Sequence, residues 1–180
     1  MLLDRGLKET LGLVMSLLKL ELQSKLEAQG HGIRETSKLI NSIEFDIKSV
    51  STVLSAGMYL EDYYVFVEKG VSASRIPFYP GSGKRQSKYI RALISYWRFK
   101  RGLSDKAAFR AAFALANKHK KEGMPTRSSF SYSKDGTRLG FVDSTLKNYE
   151  QRAFELLQSS TLNKLELSLI DILKDVVSSK

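Results

Sequence analysis

The chain has 180 residues, 42% hydrophobic and 27% charged, which suits a folded chain with a core and argues against wholesale disorder. It has no cysteine, so disulfides and thiolate metal sites are excluded. The net charge of +10 is concentrated between Lys84 and Arg138, where 15 Lys and Arg stand against 3 acids. Such a block seeks phosphate, an anionic surface or an acidic neighbouring subunit.

Residues 2–29 predict a helix. Leu3, Leu7, Leu11, Val14, Leu18, Leu22 and Leu26 recur at spacings of three and four, and Leu2, Leu13, Leu17 and Leu20 widen the apolar face. Asp4, Arg5, Lys8 and Glu9 interrupt the start, so neither a signal peptide nor a membrane span is expected. Ser42–Val50 alternates, with Ile43, Phe45 and Ile47 at odd positions, as in a half-buried strand. Thr52–Met58 and Tyr63–Val67 are β-branched or aromatic, bounded by Gly57, Glu61-Asp62 and Gly70, and predict further strands of a small antiparallel meander.

Residues 71–86 read as a loop containing Pro77, Pro80, Gly81 and Gly83. Gly81-Ser82-Gly83-Lys84 lacks the first glycine and the final Ser or Thr of a P-loop, so it reads as a flexible basic loop. A helix over Ser87–Arg101 follows. Its apolar stripe is Ile90, Leu93, Ile94 and Trp97, with Lys88, Arg91 and Arg98 on a neighbouring face. The next helix has Ser104 to cap it, Asp105 in its first turn, and Gly123 and Pro125 to close it. Ala108, Phe109, Ala112, Phe113, Leu115 and Ala116 form one side, where the alanines permit close approach. Lys106, Arg110, Lys118 and Lys121 form the other.

Residues 127–142 predict a hairpin turning at Asp135-Gly136. Residues 144–177 predict a helical extension with a break or bend at Ser159-Ser160-Thr161, then a heptad-like run through Leu162, Leu165, Leu169, Ile172 or Leu173, and Val176. The fold class is α+β: a small antiparallel sheet packed with helices, with long N-terminal and C-terminal helices, in one domain over 1–180.

No catalytic set, cofactor site or metal site is expected. His31 and His119 lack ligand-spaced partners and read as solvent-facing, and no nucleophile has a base and an orienting group at readable spacing. An enzyme is not expected.

Residues 39–126 carry an ordered string. Leu39-Ile40-Asn41-Ser42-Ile43 lies at a helix-to-strand junction. Tyr63-Tyr64-Val65-Phe66-Val67-Glu68-Lys69-Gly70 follows as an aromatic strand, then Ile76-Pro77-Phe78 in a loop. Tyr96-Trp97-Arg98-Phe99-Lys100-Arg101-Gly102-Leu103 closes one helix, and Lys121-Glu122-Gly123-Met124-Pro125-Thr126 closes the Ala-rich one. The string resembles the tailed-bacteriophage neck and tail-completion proteins, also called head-tail joining or minor tail proteins. It covers about half the chain. The loop from Val71 to Lys88 is longer and more basic than that family's usual version.

The resemblance implies a non-catalytic structural subunit of the virion, assembled in the host cytoplasm. Its partners would be copies of itself in a ring, adjacent portal, adaptor and tail ring proteins, and genomic DNA passing nonspecifically, without a membrane. A ring subunit needs separate surfaces for its neighbours, for the rings above and below, and for the lumen. A lumen that holds DNA without reading it should present Lys and Arg. Lys84, Arg85, Lys88, Arg91 and Arg98 are the candidates to face DNA or a partner. Tyr63, Phe66, Phe78 and Tyr79 are the candidates for subunit interfaces. Trp97 is expected to anchor its helix in the core, and the other aromatics to sit mostly in apolar stripes. Two other readings compete. One is a free nonspecific nucleic-acid-binding protein acting through residues 84–138, although no helix-turn-helix, zinc knuckle or RNA-recognition signature is present. The other is a host or phage factor whose basic face docks an acidic protein.

Overall fold

The long Leu-rich segment forms α1 (Leu2–Ala28), and the last quarter of the chain forms α6 (Phe141–Ser178). Between them lie α2 (Lys38–Asn41), strands β1 (Glu44–Val50) and β2 (Val53–Tyr59), α3 (Tyr64–Lys69), α4 (Lys88–Ser95) and α5 (Asp105–Glu122). This computed structural model describes residues 2–32, 36–50, 53–81 and 87–178. The architecture is α+β and mostly helical, with a single two-stranded antiparallel sheet among the described residues. The sequence shows no linker, yet the contacts fall into two compact units: residues 1–64 with 140–180, and residues 65–139.

The first unit is built on α1. Its stripe residues Val14, Leu18, Leu22 and Leu26 are buried together with Met15, whereas Leu13 and Leu20 remain about half exposed. Burying a leucine such as Leu22 or Leu26 contributes about 1.5–3 kcal/mol. Helix α6 packs along α1 and adds Phe141 and Tyr149 to the core; the Tyr149 hydroxyl donates to the Val14 carbonyl at 3.1 Å. Leu39, Ile40 and Ile43 close the other end, where the Gln23 amide donates to the Ile40 carbonyl at 3.1 Å. The helix-to-strand junction expected at residues 39–43 is present. Ser37 caps α2, and the β1–β2 register runs from Glu44 opposite Tyr59 to Val50 opposite Val53. Phe45 and Ile47 are half-buried between exposed Glu44, Asp46 and Lys48, as the alternation predicts.

Three expectations are corrected. The predicted third strand over Tyr63–Val67 is the helix α3. The Glu61 carbonyl accepts the Tyr64 N–H at 2.8 Å, which starts a helical turn directly after β2. Residues 64, 67 and 68 then turn inward at helical spacing, with Glu68 buried, while Val65 and Phe66 stay exposed. The sheet is therefore a hairpin and not a meander.

The predicted hairpin over 127–142 is a 3₁₀ helix (Arg127–Tyr132) followed by a turn. Ser129, Ser131 and Ser133 each donate a hydroxyl hydrogen bond to the carbonyl three residues back, at 2.6, 2.8 and 2.9 Å. Serine-rich segments favour such local bonds over a ladder. The Asp135-Gly136 turn itself forms: Asp135 accepts from the Thr137 N–H and hydroxyl at 3.0 and 2.9 Å.

No break occurs at Ser159-Ser160-Thr161, and α6 continues through it. Ser159 and Thr161 return their hydroxyls to the Leu156 and Leu157 carbonyls, and Ser160 shares a hydrogen bond with Thr10 of α1 at 2.5 Å. Their polar groups are thus satisfied without leaving the helix. Leu162 and Leu165 of the heptad-like run are exposed; Leu169, Ile172, Leu173 and Val176 lie outside the residues whose side chains are described.

The second unit is organised by α5. Ala108, Ala112 and Ala116 are fully buried, one turn apart, and α4 packs on that helix. Ile76, Phe78 and Ile90 complete the core with half-buried Leu93, Ile94 and Phe113. Phe78 meets Phe113 edge-on at 6.0 Å.

A backbone clasp joins the two ends of this unit. The Val71 N–H donates to the Met124 carbonyl at 2.7 Å, and the Met124 N–H donates to the Val71 carbonyl at 2.8 Å. Gly70 and Gly123 flank the clasp with φ of 72° and 82°. A Cβ on Gly123 would lie 2.6 Å from the Val71 carbonyl oxygen, and one on Gly70 would collide with the Met124 carbonyl. Both positions need glycine for conformation and for space. The Glu68-Lys69-Gly70 and Lys121-Glu122-Gly123 pieces of the resemblance, remote in sequence, therefore meet.

Candidate nucleic-acid interface

The two units differ in charge. Residues 65–139 hold 17 Lys and Arg against 4 acids, a balance of +13; the remainder holds 12 against 15, a balance of −3. The four acids of the basic unit are all engaged. Asp105 pairs with Arg98 at 2.7 Å, Glu122 accepts the Arg127 N–H at 2.8 Å, Asp135 holds its turn, and Glu68 is buried. They cannot neutralise 17 cations, so most of the excess faces solvent.

Of the predicted basic candidates, Lys88, Arg91 and Arg98 are exposed, on α4 and on the π-helical turn Tyr96–Lys100 that extends it. Ser87 caps this helix, accepting the Ile90 N–H at 3.3 Å, and holds Lys88 in the first turn, whereas Ser104, the cap expected for α5, makes no side-chain capping bond. Lys84 and Arg85 lie outside the described residues.

The interface candidates divide. Tyr63 and Phe66 are exposed, in separate units, and Tyr79 is 70% exposed. Phe78 is 7% exposed and belongs to the core, so it is removed from the docking surface. Both residues lie in the same Pro-bounded loop, and Phe78 turns inward because Phe113 of α5 lies opposite it.

Exposed aromatics in the basic unit depart from the sequence expectation that they sit in apolar stripes. Among the described residues of this unit, eight large apolar side chains are markedly exposed and six are aromatic: Phe66, Tyr79, Tyr96, Phe99, Phe109 and Tyr132. Three of them carry a cation. The Lys120 ammonium lies 4.9 Å from the Tyr79 ring centre, while also donating to the Ile76 carbonyl at 3.2 Å. The Arg101 guanidinium lies 5.9 Å from the Tyr96 ring and donates to its hydroxyl at 3.2 Å, and Arg98 lies 5.5 Å from the Phe99 ring. Trp97, between them, is half-buried. A pair of this kind is worth about 0.5–1 kcal/mol at an exposed site. That is less than the roughly 1.5–3 kcal/mol forgone by leaving an aromatic such as Phe99 in water. The signal was legible as Tyr96-Trp97-Arg98-Phe99-Lys100-Arg101, three aromatics interleaved with three cations, but periodicity alone did not say which rings the core would cover.

His119 is not the solvent-facing residue expected. It is half-buried beneath α4, with its Nδ1 2.6 Å from the Tyr89 hydroxyl. Burial holds its pKa below the ordinary histidine value and pushes Tyr89 upward. At neutral pH the imidazole is therefore neutral, and the tyrosine hydroxyl can donate to it.

The acidic unit offers a contrast. Its shallow hollow is lined by Ser42, Glu44, Tyr59, Leu60, Glu61 and Asp62, whose carboxylates repel phosphate. Among the described residues, no cluster of His, Asp and Glu is arranged to hold a metal ion, and no helix is long and apolar enough to cross a membrane. Compared with known proteins, the chain matches no family profile, no curated sequence and no solved structure.

Proposed function

We propose that this chain is a structural virion subunit of a tailed bacteriophage. It would form a ring in the neck or tail that joins the portal or capsid to the tail and surrounds the DNA path. One observation carries the reading: two of the surfaces such a subunit needs, apolar for its neighbours and basic for the lumen, are carried by different units. The excess cations lie in residues 65–139, and exposed aliphatic side chains such as Leu146, Leu162 and Leu167 lie in the other unit. A closed ring uses apolar surface for heterologous contacts between copies and cations to hold DNA without reading its sequence. The clasp between Gly70 and Gly123 adds support, because it makes the two glycine-ended pieces of the resemblance one structural feature.

Immunogold labelling of purified particles is expected to mark the neck, and the isolated protein to image as a ring. Absence of the protein from purified virions would overturn the reading. The cation-bearing aromatics at Tyr79, Tyr96 and Phe99 favour a second reading, a free nonspecific nucleic-acid-binding protein. Its signature would be a small oligomer that binds DNA in solution, away from particles, with affinity falling steeply as salt rises.

A further inference from the structure

The π-helical turn Tyr96–Lys100 and the adjoining Arg101 form the most unusual surface of the basic unit. A π turn inside an α-helix is rare and is found frequently at functional sites. Here it follows α4 directly and ends at Gly102, whose φ is 65°. Within six residues it presents Tyr96 (40% exposed) and Phe99 (79% exposed), with Arg98, Lys100 and Arg101 around them.

The chemistry of this surface separates its possible ligands. Phosphates along an intact duplex would satisfy Lys100 and Arg101, Arg98 being paired with Asp105, and leave the Phe99 ring in water, since phenylalanine has nothing to donate to a backbone. A protein interface or a lipid surface would be better served by the aliphatic side chains exposed in the other unit. An unpaired nucleotide uses both parts, its base stacking on an aromatic face and its phosphate meeting an Arg or Lys. Arg98 and Arg101 already lie against the Phe99 and Tyr96 rings, so both kinds of group stand within one nucleotide's reach.

We infer that this turn is a stacking site for unpaired bases of DNA or RNA, so that the protein prefers single-stranded or frayed nucleic acid to intact duplex. The inference rests on the reading of residues 65–139 as a nucleic-acid face and names the form of nucleic acid that face takes.

The test is fluorescence anisotropy of the full chain with a labelled 20-nucleotide single strand of DNA, the same strand as RNA, and the matching DNA duplex, at one fixed salt concentration. Phe99→Ala, at an exposed position, should leave the protein folded, with at most a small shift of the melting curve from the lost Arg98 contact. It is expected to weaken single-strand binding on the order of tenfold and leave duplex binding unaltered, with Phe99→Trp restoring it. Lys100→Gln with Arg101→Gln should weaken all forms. Phe99 dependence in either single-strand arm sustains the site and identifies its source. Loss of that dependence in both arms overturns it. So does Phe99-dependent binding to phosphatidylglycerol vesicles with none to oligonucleotides. If the duplex binds and the single strand gains nothing from Phe99, this inference alone fails. If no nucleic acid binds, the DNA-facing reading fails with it.

Discussion

The two units leave different side chains uncovered. Among the described residues, the unit of residues 1–64 and 140–180 exposes twelve large apolar side chains, nine of them aliphatic; residues 65–139 expose eight, six of them aromatic. The first unit carries −3 and the second +13. Aliphatic surface gains mainly by leaving water against another apolar surface. Aromatic surface interleaved with cations can in addition stack on a planar base and hold a phosphate. The difference supports the proposal that assembly falls to one unit and nucleic acid to the other.

The sharpest break within the basic unit is between neighbours. Phe78→Ala should cost about 3–5 kcal/mol by emptying the space against Phe113, whereas Tyr79→Ala should cost only the roughly 0.5–1 kcal/mol of its Lys120 pair. Urea unfolding monitored by circular dichroism measures both, and equal effects would mean that the loop does not hold Phe78 inside.

Gly123→Ala should cost about 1–3 kcal/mol, because it forces a strained φ and crowds the Val71 carbonyl. Hydrogen exchange should then show lost protection over residues 65–139 and retained protection in α1 and α6. Uniform loss would show that the two units do not open separately.

The charge contrast is tested by salt. Changing Lys88, Arg91 and Lys100 to Gln should reduce the slope of log K against log salt by roughly 0.9 per cation that contacts a duplex phosphate. The same change at Lys8, Lys48 and Lys147 in the acidic unit should leave it unchanged. Equal effects from the two sets would remove the distinction.

The smallest effect belongs to His119. Its folded pKa lies below the unfolded value of about 6.5, so the unfolded chain binds the extra proton first on acidification. Its contribution to stability is present above that value, is lost as pH falls below it, and levels off below the depressed folded pKa. Glu122 opposes this shift and Lys118 reinforces it. Thermal melts of the wild type and His119→Gln between pH 7.5 and 5 should show the variant with the shallower pH dependence.

Legibility in the sequence followed how local each cause is. The α1 stripe, the Ile43–Ile47 alternation and the alanine face of α5 each depend on residues a few positions apart, and all three formed as their patterns indicate. The Tyr63–Val67 segment has strand-type composition, yet it became α3: among the described residues no third strand lies beside the hairpin, and helical spacing puts Glu68 inside. The 127–132 segment followed its serines and not its aromatics. Of the candidate site, the cations Lys88, Arg91 and Arg98 were readable as exposed helix faces, and Lys84 and Arg85 fall outside the described residues. The interleaving of aromatics and cations over Tyr96–Arg101 was readable, but which rings stay exposed was not, because exposure is decided by what lies opposite a ring.

The sequence by itself determined where the charge lies, where the long helices run and where α5 begins and ends. Those features arise from spacing, caps and composition, which are properties of neighbouring residues. Only the tertiary structure decided that the charge belongs to one of two compact units, that Phe78 goes in while Tyr79 stays out, and that Gly70 and Gly123 meet across the Val71–Met124 clasp. Each of those depends on a partner brought from elsewhere in the chain. A residue's neighbours set its backbone, but the surface packed against it sets which of its atoms remain available to a ligand.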